Sequence, residues 1–121
     1  MPKKILLVDD DIQLCEEIAE ILRDEKYLVD NTSDEVNAEF LINKNSYDLC
    51  LLDYKMPRLT GIDLLRIIKK KSPLCVGIIV SGRPFIEKTI QEQNASSLVS
   101  AIIEKPFDIT RLLNKIQELL R

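Results

Sequence analysis

What the 121-residue sequence lacks narrows its class. Histidine is absent, so the usual nitrogen ligand of a zinc site is missing. No apolar run approaches the roughly 20 residues of a membrane-spanning helix, and the first residues lack the apolar core of a signal peptide. Cysteine occurs only at Cys15, Cys50 and Cys75, an odd count, and two of the three fall in predicted core strands. We therefore expect a cytoplasmic protein with reduced, buried thiols and no membrane contact.

The remaining composition is that of an ordinary globular protein. The sequence is 45% hydrophobic and 31% charged, with a net charge of −3, which fits one domain over residues 1–121. The densest basic run, Lys69–Lys71, ends a predicted helix, where positive charge complements the helix dipole. We therefore expect no nucleic-acid binding by this domain itself.

Short apolar runs without polar alternation predict strands that are buried on both faces, as in a parallel sheet. Four such runs occur, and a fifth segment, Leu28–Thr32, carries Asp30 and suits a sheet edge. The four buried runs are Ile5–Val8, Leu49–Leu52, Cys75–Val80 and Ala101–Ile103.

Helical patterns follow the strands. They comprise a helix from Leu14, one opened by a capping box at Thr32–Glu35 and running to about Asn43, one from Gly61 to before Ser72, one from Pro84 to about Ser96, and one capped by Asp108. The predicted inward residues are Leu14, Ile18, Ile21 and Leu22; Leu64, Leu65 and Ile68; Ile86 and Ile90; and Ile109, Leu112, Leu113, Ile116 and Leu119.

Five strands alternating with five helices predict a doubly wound α/β fold. Right-handed crossovers of this length favour a parallel sheet with strand order 2-1-3-4-5. Four of the strands then end at one rim of the sheet, where ligands bind in such folds. The residues delivered there are Asp9, Asp10, Asp11, Asp53, Ser81, Gly82, Lys105 and Pro106.

The acids at this rim predict a metal site. Two unit charges about 4 Å apart repel by roughly 1 kcal/mol in water and about 4 kcal/mol near a protein surface, so a cation is needed to hold several carboxylates together. All the ligands are oxygens, which favours Mg²⁺. With the ammonium of Lys105 and the hydroxyl of Ser81, the rim has what a phosphoryl group needs as it transfers.

The chain resembles the receiver domain of bacterial two-component response regulators over essentially its whole length. Such domains have a flavodoxin-like (βα)5 fold and are phosphorylated on an aspartate. The ordered set of motifs is more specific than any one of them. The matching pieces are Leu7–Asp11, Leu52–Pro57 with Gly61, Val80–Gly82 and Lys105–Phe107.

The resemblance implies a role for each rim residue. Asp53 would accept a phosphoryl group from the phosphohistidine of a sensor histidine kinase or from a phosphotransfer protein. The domain would catalyse only its own phosphorylation and slow dephosphorylation, and would not otherwise act as an enzyme. The other implied roles are direct Mg²⁺ ligands for Asp10, Asp53 and the backbone carbonyl of Lys55; a water-mediated ligand for Asp9; contacts with the phosphoryl oxygens for Ser81 and Lys105; open access at Gly82; and a cis bond before Pro106.

Two departures from the family pattern concern signalling. The family usually has an aromatic residue, three positions before the lysine, that moves inward together with the Ser/Thr. Here that position is Ile102, so the predicted switch pair is Ser81 and Ile102. Basic residues, Lys55 and Arg83, flank the site. The output face implied by the family, which also serves homodimers, is formed by the fourth helix, fifth strand and fifth helix.

Two alternatives stay open at this stage. Asp9 and Asp11 after a buried strand, with a later Ser and Lys, also resemble haloacid-dehalogenase-like phosphohydrolases, whose nucleophile would be Asp9. That alternative leaves Asp53 unexplained, and the chain is short for such an enzyme. The other alternative is a receiver-like interaction module that no longer accepts phosphate.

Overall fold

The apolar runs of the sequence form the centre of a five-stranded sheet in the computed structural model, which describes all 121 residues. Every residue of the third strand is buried, as expected for a strand covered by helices on both faces. The elements are β1 Lys4–Val8, α1 Ile12–Asp24, β2 Leu28–Thr32, α2 Glu35–Lys44, β3 Leu49–Asp53, α3 Gly61–Lys71, β4 Val76–Ser81, α4 Ile86–Glu92, a 3₁₀ turn Ser96–Leu98, β5 Ala101–Glu104 and α5 Ile109–Leu119.

The strands are all parallel and lie in the order β2-β1-β3-β4-β5, which confirms the predicted topology. Leu49 pairs with Val76 at the start of β3 and β4, and Asp53 pairs with Val80 near their ends. Ser81 pairs with Glu104 where β4 and β5 end. The carboxyl ends of all five strands therefore reach one rim, and their amino ends share the opposite edge.

Two apolar clusters cover the two faces of the sheet, because successive side chains of a strand point to opposite sides. Leu52 and Leu6 face the cluster that contains α2, α3 and α4. Leu51 and Leu7 face the cluster that contains α1 and α5. None of the helices combines the length and hydrophobicity needed to cross a bilayer.

The predicted inward face of α1 is partly wrong. Leu14 and Ile21 are only half-buried, whereas Cys15 and Ala19 are buried together with the predicted Ile18 and Leu22. The small side chains of Cys15 and Ala19 let the helix approach the sheet, so the larger residues lie along its flanks. In α5 only Leu112 and Ile116 of the five predicted residues are buried, and Ile109, Leu113 and Leu119 are half-buried.

The capping box predicted at Thr32–Glu35 is also wrong. Asp34 alone caps α2, by accepting a hydrogen bond from the backbone N–H of Val36. Glu35 does not return to the helix start; its buried side chain binds the loop after β3. A capping box does occur at α3, where Thr60 and Asp63 each accept from the other's backbone N–H.

The fourth helix is much shorter than predicted. It spans seven residues, Ile86–Glu92, preceded by Phe85 in the left-handed conformation with φ 59° and no side-chain cap. The predicted inward residues, Ile86 and Ile90, are buried. Two apolar positions can hold only a short helix against the sheet, which is why the weak sequence pattern overestimated its length.

Candidate functional site

The acidic rim is built by the ends of β1, β3, β4 and β5. Asp53 ends β3 and Asp9 directly follows β1, and both side chains are buried. Lys105 follows β5 and reaches across the rim, with Nζ 3.0 Å from Oδ2 of Asp9 and 3.3 Å from Oδ1 of Asp53. The peptide bond between Lys105 and Pro106 is cis. One ammonium therefore joins two strands that are neighbours in the sheet.

Three of the four predicted acids form a cluster. Carboxylate oxygens of Asp9, Asp10 and Asp53 all lie within 4.8 Å of one another. Asp11 does not belong to this cluster, because its side chain caps α1 by accepting from the backbone N–H of Leu14 at 3.1 Å. Its backbone N–H donates to Oδ1 of Asp9 at 3.0 Å, which fixes the direction of the Asp9 carboxylate.

The pKa of Asp53 shows that Lys105 alone does not offset the negative charge of the cluster. Burial, the charge of Asp9 and a hydrogen bond with Asp10 raise the pKa of Asp53 to about 7, although Lys105 acts in the opposite direction. Burial alone would lower the pKa of Lys105, but its hydrogen bond to Asp9 and the charges of Asp53 and Asp9 outweigh this, so that pKa is raised. The single ammonium does not neutralise three carboxylates.

The donor set fits a hard divalent cation. Three carboxylates from two strands converge, and their only close cation is Lys105. The backbone carbonyl of Lys55 accepts no hydrogen bond within the chain, which leaves its oxygen free for a ligand. All of these atoms are oxygens, the donors that hard divalent cations prefer. The cluster could therefore bind a metal ion.

An open cavity of about 830 Å³ gives access to Asp53. Its walls carry both basic residues noted in the sequence, Lys55 and Arg83, together with Asp10 and Lys105. Ser81 lines the same cavity and is buried. Its Oγ accepts a hydrogen bond of 2.9 Å from the backbone N–H of Arg83, so its own proton is available to a ligand in the cavity.

Comparison with known proteins decides the family. The model of the response regulator receiver domain matches residues 5–117. The chain belongs to this family. Receiver domains serve two-component signal transduction and are phosphorylated on an aspartate, and their partners include histidine kinases. Membership sets aside the phosphohydrolase alternative, which required Asp9 as the nucleophile.

The receiver domain is similar to curated regulators and to solved structures. It is 33% identical over 118 residues to a transcriptional regulatory protein CpxR homolog of Haemophilus influenzae and 31% identical over 121 residues to the response regulator MprA of a Mycobacterium species. These alignments cover 98% and 100% of this chain but 50% and 52% of the relatives. The chain thus spans about half the length of the curated relatives it matches.

Two solved structures illustrate the similarity. A CheY-like receiver domain protein from Methanospirillum hungatei superposes with a TM-score of 0.88 at 32% identity, over 99% of this chain and 94% of that one. The response regulator TrrA from Thermotoga maritima, solved with Mg²⁺ and BeF, gives a TM-score of 0.82 at 27% identity, over 98% and 99% of the two chains.

Sequence reasoning missed Glu35 as a residue of this receiver domain's site. Its carboxylate is buried and accepts hydrogen bonds from the backbone N–H groups of Arg58 and Leu59 at 2.6 and 3.0 Å. Those residues belong to the loop between β3 and α3, which follows Asp53. The sequence shows Glu35 only as an acid at the start of a helix, which is the pattern of a capping box.

Tyr54 was also missed as a connecting residue. Its ring is buried, lies 5.9 Å from the guanidinium of Arg83 and belongs to the cluster that includes Ile86 and Ile90. The side-chain amide of Gln93, just after α4, donates to its hydroxyl at 2.9 Å. The residue after the predicted phosphoacceptor is therefore in contact with both ends of the α4 region.

The remaining predicted residues occupy distinct places. Ile102 is half-buried on β5, pairs with Ile79 of β4 and lines a cavity of about 360 Å³ beside α4. Gly82 is exposed, and a Cβ there would lie 3.6 Å from Cβ of Lys105, with no atom of Asp53 within 4 Å. Gly82 also lines the cavity that gives access to Asp53, so the open space there borders both the cavity and Lys105.

Proposed function

We propose that this receiver domain, formed by residues 1–121, accepts a phosphoryl group on Asp53. The observation that carries the proposal is the position of the Asp53 carboxylate, buried at the end of β3, facing an open cavity and held 3.3 Å from the ammonium of Lys105. The Asp53 carboxylate can therefore contact a phosphoryl donor that enters the cavity, while the charges of Asp9 and Lys105 remain beside it.

In the transfer, an oxygen of Asp53 attacks phosphorus and the bond from phosphorus to the donor breaks, leaving the electron pair on the donor. With a phosphohistidine donor, the imidazole nitrogen keeps that pair. Lys105, already beside Asp53, pairs with the phosphoryl oxygens, and the hydroxyl of Ser81 donates to one of them. These groups place positive charge and a donor where negative charge concentrates.

We assign the metal of this domain as Mg²⁺, with Asp10, Asp53 and the carbonyl of Lys55 as its ligands and Asp9 acting through water. The oxygen-only donor set supports this assignment, and the similar TrrA structure contains Mg²⁺ with BeF. When bound, the ion would offset the charge of the carboxylates and polarise the phosphoryl oxygens. Asp9 then holds Lys105 through its contact of 3.0 Å.

The donor is a sensor histidine kinase or a phosphotransfer protein, and the domain catalyses only its own phosphorylation and slow dephosphorylation. We propose that the output passes through the face formed by α4, β5 and α5, and that a homodimer, if one forms, uses the same face. We infer a cytoplasmic location from the kinase partner and from the three free, buried thiols.

Acetyl phosphate with Mg²⁺ tests the acceptor, with intact mass and peptide mapping as the measurement. We expect one phosphate-sized adduct on the native protein, none on Asp53→Asn, and normal labelling of Asp24→Asn, which removes an exposed acid on α1. An adduct that persists in Asp53→Asn, or that maps to Asp9, would overturn the assignment. Absence of any adduct on the native protein would favour an interaction module that does not accept phosphate.

A further inference from the structure

A second pair of reactive side chains, Cys50 and Cys75, lies near the amino ends of β3 and β4, opposite the edge that carries Asp53 and Ser81. Cys50 is in β3, and Cys75 immediately precedes β4, adjoining the paired residues Leu49 and Val76. Their sulfur atoms are 3.9 Å apart. Both residues are almost fully buried, with 0% and 2% exposure. The proposed phosphorylation chemistry uses neither thiol.

The two thiols differ in access. Cys75 lines a cavity of about 300 Å³ between the α3–β4 loop and the end of α5, which is large enough for a small solute. Cys50 does not line this cavity and is fully buried. The exposed Leu74 lies beside Cys75 in the loop, outside the hydrogen-bonded strands.

The two thiols also differ in acidity. The contact with Cys50 and the positive charge of Lys69 lower the pKa of Cys75, although burial and the charge of Asp48 act against this. As a thiol, Cys75 donates to Sγ of Cys50 at 3.9 Å and to the backbone carbonyl of Val76 at 3.7 Å. The contact with Cys75, together with burial, raises the pKa of Cys50. The pair therefore places a more acidic thiol 3.9 Å from a second thiol, and the thiolate form of Cys75 is the nucleophile, whose oxidised form the second thiol can attack.

We propose that Cys75 and Cys50 form a reversible oxidation site that closes to an intrachain disulfide in the presence of hydrogen peroxide. The Cys75 thiolate attacks one peroxide oxygen, the O–O bond breaks, and the released hydroxide takes a proton to become water. The sulfur of Cys50 then displaces hydroxide from the Cys75 sulfenic acid, forming the S–S bond, and the Cys50 proton joins that hydroxide. In total, the two sulfurs lose two electrons and the peroxide gains them.

Closure requires a small local movement. The sulfurs must approach from 3.9 Å to about 2.05 Å. The movement would occur at Cys75, which lies outside the strands in the α3–β4 turn, where its backbone N–H donates to the carbonyl of Ser72 at 3.0 Å. The bond would enclose residues 50–75, including Asp53 and all of α3. Asp53 takes no part in the thiol chemistry, so formation of the disulfide does not depend on phosphorylation.

Cys15 provides a matched control within the chain. It is buried like the other two, but its closest polar contacts are the backbone carbonyl of Thr32 at 3.6 Å and the amide of Asn31 at 3.9 Å. Burial raises its pKa, and no second thiol lies beside it. Cys15→Ser should therefore leave the oxidation of Cys50 and Cys75 unchanged.

The test treats the native protein, Cys15→Ser, Cys50→Ser and Cys75→Ser with hydrogen peroxide. We expect the native protein and Cys15→Ser to lose the mass of two hydrogens, to yield a linked 50–75 peptide, and to recover with dithiothreitol. Cys50→Ser should instead accumulate a Cys75 sulfenic acid that dimedone traps, and Cys75→Ser should react at least about tenfold more slowly. Oxidation should raise the urea midpoint of the native protein reversibly, since a cross-link constrains the unfolded chain.

Several outcomes would overturn the proposal. They are a sulfenic or sulfinic acid on the native protein without a 50–75 link, a disulfide that joins separate chains, and equal oxidation of Cys15. Since the first of these is read on the native protein, the test remains decisive even where a serine variant fails to fold.

Discussion

Two helices follow the two strands that carry Asp53 and Ser81, and they are held very differently. Helix α3 spans 11 residues, begins with a capping box and buries five residues. Helix α4 spans seven residues, has no side-chain cap and buries only Ile86 and Ile90. The α3 sequence supplies caps and a wide apolar face, whereas that of α4 supplies two anchors.

The loops that lead into these helices show the same difference. The β3–α3 loop is fixed from outside by the two hydrogen bonds to Glu35. The β4–α4 loop depends on the Ser81 hydroxyl, which accepts from Arg83, and on the contact of Arg83 with Tyr54. A phosphoryl group on Asp53 would recruit that same hydroxyl. We infer that α3 stays fixed on phosphorylation and that α4 responds.

The largest expected effect concerns the Asp53 carboxylate, whose cavity is lined by residues of both the β3–α3 loop and the β4–α4 loop. Its pKa of about 7 in the folded, metal-free protein exceeds the ordinary value of about 3.9, so the folded state binds the proton more tightly. The resulting stabilisation is fully present below pH 4 and is lost as pH rises through 7. Urea unfolding in EDTA should show a decline on the order of 2–4 kcal/mol across this window, and Asp53→Asn should remove it.

A flat profile for the native protein in EDTA would show that the acids are not strained. Repeating the series with millimolar Mg²⁺ should restore stability near pH 7 in the native protein, since a ligand bound only to the folded state stabilises it.

The next effect tests how the β3–α3 loop is held. Glu35→Ala leaves the N–H groups of Arg58 and Leu59 without their acceptor and should cost about 2–3 kcal/mol of unfolding free energy. Glu39→Ala, which removes an exposed acid from the same helix, is the control and should change little. Equal stability of both variants in urea would mean that Glu35 does not anchor the loop.

A glycine pair compares the two helix entries directly. A Cβ at Gly61 would lie 2.6 Å from the backbone carbonyl oxygen of Asp53, so Gly61→Ala should cost about 1–3 kcal/mol. A Cβ at Gly82 would make an ordinary contact of 3.6 Å with Lys105, so Gly82→Ala should stay within about 0.5 kcal/mol. Chemical denaturation measures both. Similar losses in the two variants would contradict the claim that only the α3 entry is tightly packed.

Amide hydrogen exchange with and without beryllofluoride tests which region responds. We expect protection to change by about tenfold, or 1.4 kcal/mol, between Ser81 and Ile90, with little change in α3 or at residues 101–103. The reason is that Ile102 is stiff at χ1 and only half-buried, so the signal must pass through the backbone after Ser81. Changes around Ile102 as large as those around Gly82 would show that isoleucine supports the usual switch.

The smallest expected effects come from the helix ends. Thr60→Ala removes the capping box of α3 and should cost about 1 kcal/mol. In Phe85→Gly, the glycine adopts the left-handed conformation before α4 without strain, but the unfolded chain gains conformational entropy. These effects oppose each other, so the free energy of unfolding should change by less than about 0.5 kcal/mol. Thermal melts of the two variants provide the comparison. A loss in Phe85→Gly matching that in Thr60→Ala would mean that the exposed ring stabilises α4.

Most of the fold could be predicted because its central strands are continuous apolar runs, and Asp53, Ser81 and Lys105 end or follow three of them. The failures have different causes, and only that of Glu35 lies in a contact distant in sequence. Asp11 has the same side chain as Asp9 and Asp10, yet its carboxylate caps the start of α1 instead of joining the acidic cluster. Glu35 accepts a hydrogen bond from Arg58, 23 residues later in the β3–α3 loop, and no local sequence pattern predicts that contact. The length of α4 was overestimated because two isoleucines carry little periodicity.

The order in which the site residues occur along the chain bears on how the domain assembles. Asp9, Asp10 and Asp53 all precede β4, whereas Lys105, the ammonium that contacts two of them, follows the last strand. A nascent chain that pairs β1 with β3 therefore gathers acids before their countercharge has been synthesised, and the repulsion disfavours that partial sheet. In the absence of a divalent cation, we therefore expect the rim to disfavour an incomplete sheet until Lys105 is in place.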